Sequence, residues 1–476
     1  MPTFKVVNLT PKSLSGEAEH DAEPFLAVNP ENPAEMVATA FTPDPMGGGF
    51  APVYVSTDGG NTWALNTIVP GGGVFPGTTQ PFATGDITVA FADRGGALYA
   101  GILNGQAAFL QNRTVLQILR TPSATSTAAM QVLVNREPVD QPWVIADTVA
   151  GDGGDRDRVF IGNNNFKHRI PSPKSATVDV SGDARTAPAP AGFTPFGIEQ
   201  RTPAGQDGPP VRLALHADGT VYAAFECWTA NDHGQPISNV TFDVVVTRDD
   251  SAASGANPFE DLKDATTSTP GQLVATDRFV AFNAIMGQER LGGDLTIAVD
   301  PRDANSVWIA WCDRVGGPSG TDNTMHVQRS TDRGQTWTQA RADLADVKNP
   351  ALAVNSEGLV GLAYQLFADN QWTTILETTA DNWQNDPETT KLHQAPANVP
   401  DSGGQLPYLG DYIRLLAVGS DFYGVFAGNN TPDNANFPVG VSYQRNADFT
   451  THQLLDVDGT PGVQISIDPF FFHRAA

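Results

Sequence analysis

The sequence predicts an all-β protein, a radial propeller of seven four-stranded antiparallel blades, and three observations predict it. Apolar-polar alternation with a period of two dominates the chain, bounded by Gly, Asp, Asn and Pro, while 3.6-residue periodicity is nearly absent. One hairpin pattern recurs seven times: a short apolar strand, an Asp- or Gly-bearing turn, then a second strand with an aromatic near its start. The octet Ser-Thr-Asp-x-Gly-x-Thr-Trp occurs twice, at 56–63 and 330–337.

The hairpins follow in order. "EPFLAVNPENPAEMVATAF" starts at 23, "GDITVAFADRGGALYAGIL" at 85 and "DQPWVIADTVAGDGGDRDRVFIGNN" at 140. "PVRLALHADGTVYAAFECW" starts at 210, "GDLTIAVDPRDANSVWIAWCD" at 293, "NPALAVNSEGLVGLAYQLF" at 349 and "GDYIRLLAVGSDFYGVFAG" at 410. Their spacing of roughly 50–80 residues leaves room for one or two further strands each, the mark of stacked blades in an all-β chain. A blade cannot bury both faces alone, so it stacks on two neighbours and the ring must close. The count gives seven blades, with six or eight as the alternatives, in a single domain over 1–476. Closure is expected between "TFKVVNL" at 3–9 and "GVQISIDPFFF" at 462–472. The one short helix expected is "NPFEDLKDA" at 257–265.

Composition fits this reading. Of 476 residues 40% are hydrophobic, enough for a large core, and 46 Gly with 36 Pro favour many turns. A formal net charge of −25 disfavours nucleic acid, whose phosphates require a Lys and Arg surplus, and equally disfavours docking on an anionic membrane. It suits solubility in a salty or extracellular setting. No run of 18 apolar residues occurs, so no membrane insertion is expected. The N-terminus lacks a basic region followed by an apolar run, so a removed leader or leaderless export is favoured over a cytoplasmic location. Cys227 and Cys312 are expected to be buried thiols, a bridge between them being the alternative.

In "STDGGNTW", Gly60 supplies a positive φ. Ser56, Asp58 and Thr62 can bond the turn's own backbone, and Trp63 can tuck its ring between sheets. Ser330, Asp332, Gly334, Thr336 and Trp337 repeat the arrangement. Each copy follows the third strand of its blade. These stretches resemble the Asp-box, or BNR, repeat of sialidases and sialidase-like propellers, with degraded copies at "ETTADNWQN" (377–385) and "VVTRDDSAA" (245–253). "LGDYIRLLAVGSDFYGVFAGNN" resembles the last blade of secreted bacterial BNR-repeat proteins. The resemblance implies that the boxes are scaffold, on the face away from the ligand.

The ligand is expected where the innermost strands start and the loops after the second strands converge. Aligning those strands puts Asp86, Asp140, Asp294 and Asp411 in register, with Glu23 one step off. Such a ring supplies either an acid/base pair or a cation site, because close carboxylates raise one another's pKa values. The other reading is that each Asp caps the backbone where its strand begins. Arg136 and Arg290 each precede a ring aspartate by four residues, and Arg414 follows Asp411 by three. The resemblance to sialidases implies that three arginines grip a substrate carboxylate, which planar guanidinium does well. It also implies a nucleophilic tyrosine, Tyr412 or Tyr443. The family's Phe-Arg-Ile-Pro signature has its nearest likeness in "HRIP" at 168–171, on the wrong side of the first box, and the family's catalytic glutamate segment has no clear counterpart.

Second-strand ends add Glu226, Trp228, Asp313 and Arg314, with amides at Asn163–Asn165 and at Asn429 and Asn430, groups suited to sugar hydroxyls or to ordinary loops. No cofactor is required. Calcium is the metal the chain could hold, through Asp152, Asp155 and Asp157 at calcium-like spacing, with a plain hairpin turn as the other reading. No H-x-x-x-H occurs, which disfavours zinc. His20 lies beside Asp21 near the first inner strand. The expected partner is a glycan or glycoconjugate, met at one axial site because the blades have diverged. The competing functions are a sialidase-like glycoside hydrolase, a non-catalytic glycan- or protein-binding propeller, and a structural or cargo component.

Overall fold

A computed structural model describes residues 2–41, 51–70, 83–105, 115–136, 139–151, 154–165, 174–185, 192–204, 211–232, 239–281, 295–317, 323–400 and 407–476. Seven antiparallel sheets, each of four strands, form a closed ring. Blade 1 consists of Phe25–Val28, Met36–Thr39, Val53–Ser56 and Ala64–Leu65; blade 2 of Ala83–Phe91, Leu98–Gly105, Val115–Thr121 and Gln131–Arg136. Blade 3 follows with Val139–Val149, Arg156–Asn165, Ala176–Ser181 and Thr194–Gly197, and blade 4 with Arg212–Leu215, Val221–Asn231, Asn239–Asp249 and Gln272–Ala281. Blade 5 is Leu295–Asp300, Asp303–Arg314, Asn323–Ser330 and Thr338–Leu344; blade 6 is Val347–Val354, Val360–Ala368, Gln371–Thr379 and Glu388–Pro396. The innermost strand of each blade touches that of the next, and the last touches the first.

Blade 7 takes Arg414–Val418, Asp421–Asn429 and Ile467–Ala475 from the end of the chain and its outer strand, Thr3–Asn8, from the beginning. The register Val6↔Phe472, Val7↔Phe471 and Asn8↔Phe470 fixes that closure. A three-stranded sheet, Ala447–Asp448, Gln453–Leu455 and Pro461–Val463, is inserted between the second and third strands of this blade. No helix among the described residues is long and apolar enough to cross a membrane.

The core lies between blades, because each sheet is apolar on both faces. Along Val221–Asn231, Ala223 and Phe225 face blade 3, while Tyr222, Ala224 and Trp228 join Ile297, Ile309 and Trp311 of blade 5. Cys227 and Cys312 are buried thiols in these seams.

The two octets link third to fourth strands, and their geometry is the same. Ser56 Oγ accepts the amide of Gly60 at 2.9 Å, while Asp58 Oδ1 accepts the Thr62 amide and Oδ2 the Thr62 hydroxyl. Ser330, Gly334, Asp332 and Thr336 repeat these bonds. Gly60 has φ 78°, and a Cβ there would lie 2.3 Å from the Phe471 ring, so glycine is required on both counts. In blade 6 the turn is re-registered: Thr379 Oγ1 accepts the amide of Trp383, which occupies the glycine position at φ 58°, and Asn385 replaces the bonding threonine. In blade 4, Asp249 accepts the amides of Ser251, Ala253 and Phe259. That grip overturns the helix expected at 257–265, which is a series of turns with Phe259 at φ 64° and Phe259 and Leu262 buried between blades.

Each inner strand places one alanine close to its hairpin: Ala27, Ala90 and Ala146 in blades 1–3, then Ala214, Ala298, Ala353 and Ala417. All seven border an axial cavity of about 690 Å³ that occupies the half of the channel nearer the octet turns.

A buried carboxyl pair at the mouth of the axial channel

The inner strands all start on the face opposite the octet turns. Three starts are irregular. Register shifts interrupt the ladder between Thr84 and Ile87, Asp140 and Trp143, and Lys348 and Ala351. Glu23, Gln141 and Asn349 have φ of 53°, 47° and 53°. Bulges re-aim side chains at barrel and propeller rims, and left-handed backbone at non-glycine residues persists only where its surroundings over-determine it.

These irregularities gather side chains at the starts of five blades, 1, 2, 3, 6 and 7. Gln141 Nε2 donates to Asp411 Oδ2 at 2.9 Å, and Tyr408 Oη donates to Glu23 Oε1 at 3.2 Å. Asn349 Nδ2 donates to the Gly410 carbonyl at 3.3 Å. Gly410 itself, at φ 80°, lies so close to Glu23 that a Cβ would fall 2.3 Å from Cγ. Asp86, 5% exposed, carries a side-chain hydrogen bond with Glu23. Burial first, then the charges of Glu23, Asp140 and Asp411, push the Asp86 carboxyl well above its ordinary range. Both effects favour the protonated form of Asp86.

Beneath the carboxyls, Phe25, Trp143 and Tyr412 pack edge to face, with centroids 4.8 Å apart for Phe25–Trp143 and 5.8 Å for Trp143–Tyr412. The Arg212 guanidinium lies 4.1 Å from the Trp143 centroid and 5.2 Å from that of Tyr412. Arg414 lies 5.0 Å from Trp143 and 5.1 Å from Phe25. Burial lowers both guanidiniums to about 10, the like charge of Arg212 adding to the effect on Arg414, so both stay cationic at pH 7. Burial also raises the Tyr412 phenol, helped by Asp86 and Glu23; Arg212 opposes this and does not prevail, so Tyr412 is a neutral hydroxyl.

The structure thus brings together Asp86, Asp140, Asp411, Tyr412 and Arg414 among the residues the sequence singled out. Asp294 and Arg290 lie outside the described residues, as do Asp152 and the "HRIP" stretch. Arg136 is turned away: on the outer strand of blade 2 it is ion-paired with buried Asp179 of blade 3. Trp228 packs with Leu295 and Trp311 in the seam between blades 4 and 5, and Glu226 is buried on the same strand. Arg314, partly exposed, ends the second strand of blade 5 opposite Asn323. Asp313 has its own network, accepting from Trp311 Nε1 at 2.9 Å and pairing with His326 at 3.2 Å; His326 in turn meets Asp343 at 3.1 Å.

Tyr443 is half-buried among Phe437, Phe449 and Phe470, away from the mouth. The amides are structural: Asn163 bonds Asp179, Asn429 the Val399 carbonyl and Asn430 Asp468. Asp157 accepts from Arg185, Tyr99 and Thr148, each at 2.8 Å, and Asp155 faces Arg94. Asp157 is thus held by an arginine, and Asp152, the third residue of that set, lies outside the described residues. Among the described residues no group of three His, Cys, Asp or Glu side chains is arranged to hold a metal.

Arg212, Trp143, Gln141 and Tyr408 were not foreseen. One signal existed for Arg212, which precedes the channel alanine by two residues as Arg414 precedes its own by three.

No family model matches this chain, and no curated protein matches its sequence. Solved structures do. An ulvan lyase, a polysaccharide lyase, superposes with a TM-score of 0.50 at 11% identity, covering 86% of this chain and 92% of that one. The endosialidase of phage phi92 gives 0.44 at 11% identity over 100% and 69%. The α-L-arabinofuranosidase of Fusarium graminearum gives 0.42 at 8% identity over 82% and 97%. At 11% identity, the likeness to the ulvan lyase shows a shared fold and nothing further.

Proposed function

We propose that this propeller recognises a glycan at the acidic mouth of its channel and hydrolyses a glycosidic bond there, in a sialidase-like architecture whose octet turns are Asp-boxes serving as scaffold. The observation that carries this reading is the buried Asp86 carboxyl in hydrogen-bond contact with Glu23, where burial and the neighbouring acidic side chains favour a proton on Asp86. Glycoside hydrolysis needs a protonated acid for the leaving oxygen and an ionised partner. Asp86 is the general acid. Glu23 takes back the proton, and Asp140, partly exposed on the bulged start of blade 3, meets the incoming sugar or the attacking water. Arg212, stacked on Trp143, supplies fixed positive charge beneath the reacting centre. A Tyr/Glu mechanism is disfavoured because Tyr412 stays protonated.

The test is a panel of aryl glycosides and natural oligosaccharides. Asp86→Asn is expected to lower kcat by about 10²–10⁴-fold, the range for a lost general acid, with Tyr412→Phe close to wild type. Activity of the wild type should fall as pH rises through the elevated pKa of Asp86. Unchanged turnover in Asp86→Asn sinks the assignment, and loss in Tyr412→Phe alone restores the tyrosine route.

The near-complete enclosure of Asp86, Asp411 and Tyr412, each at most 5% exposed, favours a second reading, a non-catalytic glycan-binding propeller. Glycan-array retention that Asp140→Asn abolishes, without turnover of any retained ligand, selects it.

A further inference from the structure

The channel has a second end, and its chemistry differs from the mouth. The cavity of about 690 Å³ is walled by the seven alanines and by Val, Leu and Phe side chains of the inner strands. Its collar near the octet turns carries Asp93, Asp147 and Arg158, and Asp147 is neutralised by its ion pair with Arg158. The volume is that of a small-molecule site, with an apolar wall of inner-strand side chains and polar groups, Thr148 and His216 among them, gathered towards the collar. Large side chains at the alanine positions would have filled it, as they fill the seams between blades.

Arg414 borders the same cavity at its inner end. It is the first residue of an inner strand whose last, Val418, also lines the cavity, so the wall between them spans roughly 13 Å at about 3.3 Å per residue. Among the described residues Arg414 makes no ion pair. Its Nε is buried without an acceptor, and its near neighbours are the faces of Phe25 and Trp143. A partly buried cation with no anion among the described residues is costly to hold, and Arg212 adds repulsion.

We propose that this half of the channel binds a slender amphiphile, an unbranched alkyl carboxylate, with the chain against the alanine-lined wall and the carboxylate on Arg414. The anion supplies the partner that Arg414 lacks, and guanidinium holds a carboxylate by two parallel hydrogen bonds. The alkyl chain removes apolar wall from water without needing further polar contacts. The site is reached from the face of the octet turns and does not depend on hydrolysis at the mouth.

The experiment is isothermal titration calorimetry of the full chain with decanoate, with 1-decanol as the neutral probe of equal length. One saturable site for decanoate is expected, with decanol at least about tenfold weaker, the factor that corresponds to about 1.4 kcal/mol. Arg414→Gln should bring decanoate down to the level of decanol. Because Arg414 also touches the mouth cluster, a second variant separates the two ends. Ala298→Leu/Ala353→Leu fills the channel far from Asp86 and should abolish decanoate binding while thermal melting shows a folded chain. No saturable decanoate binding, equal binding of decanol, or undiminished binding in the filled variant each overturns the proposal. Hydrolytic activity is not a readout here, so failure of this site leaves the mouth to be judged separately.

Discussion

A carboxyl that loses water and gains carboxylate neighbours keeps its proton, and Glu17 does so as Asp86 does. Glu17 is buried beside Asp21, Asp468 and Arg445, and burial first, then Asp21 and Asp468, raise it to about 10; Arg445 only partly opposes them. Between the ordinary value of 4.5 and about 10, the folded chain holds a proton that the unfolded chain has released. Stability from this residue is therefore full below the unfolded value and lost as pH rises through the folded one. Glu17→Gln should raise stability at pH 8 by on the order of 1–2 kcal/mol and leave it unchanged at pH 4, measured by urea denaturation at both. An equal effect at both pH values would show that Glu17 is ionised. His393 has the opposite sign. Buried against Phe437 and Phe470, it is lowered to about 4 from 6.5, so its contribution is lost as pH falls through that window. At this scale the sequence identified Asp86 and Asp411 correctly as neighbours, because equal places in repeated strands stay equal in space. It misjudged Arg136, since side-chain direction alternates along a strand and only the register decides which face Arg136 takes.

The octet turns show what a local sequence can and cannot specify. Their hydrogen bonds are internal, within four residues, so the same letters make the same turn in blades 1 and 5. What the tryptophan contributes depends on its neighbour. Trp63 is 3% exposed and its ring lies 5.3 Å from Phe471, on the strand that Thr3–Asn8 covers. Trp337 is partly exposed although its Nε1 makes the same bond, to the Gly334 carbonyl at 3.0 Å. Trp63→Ala should cost about 3–5 kcal/mol, the usual loss for a buried aromatic, and Trp337→Ala roughly half as much. Chemical denaturation ranks them; equal losses would mean that the Phe471 contact adds nothing. Neither change should alter turnover at the mouth, on the opposite face. The helix expected at 257–265 failed at this scale too. Its apolar spacing was real, but Phe259 ends a turn gripped by Asp249, a partner outside the window that suggested the helix, while Leu262 packs into a different seam.

Closure is a property of the whole ring. Thr3–Asn8 buries Val6 and Val7 against blade 7, and the next residue, Leu9, is fully buried. Asn8 also donates to Asp468 at 2.7 Å, tying the first strand to the polar cluster around Arg445. Three apolar side chains at about 1.5–3 kcal/mol each amount to much of the roughly 5–15 kcal/mol that stabilises an ordinary domain. Removal of residues 1–9 should therefore abolish the cooperative melt seen by circular dichroism. A truncated chain melting within a few degrees of the intact one would show that the ring holds without its first strand.

The sequence by itself determined the inner hairpin of each blade and the octet turns, and favoured seven blades, because alternation and turn chemistry act within a few residues. It also determined that acidic side chains recur where inner strands begin. The tertiary structure alone decided which of them come into contact, that Arg212 and Arg414 meet over Trp143, and that an alanine-walled cavity ends at a guanidinium with no ion pair among the described residues. Those outcomes depend on side chains from separate blades, far apart in the chain, and on bulges that turn them inward. Burial, which sets whether a carboxyl keeps its proton or a cation lacks a partner, exists only once the ring has closed.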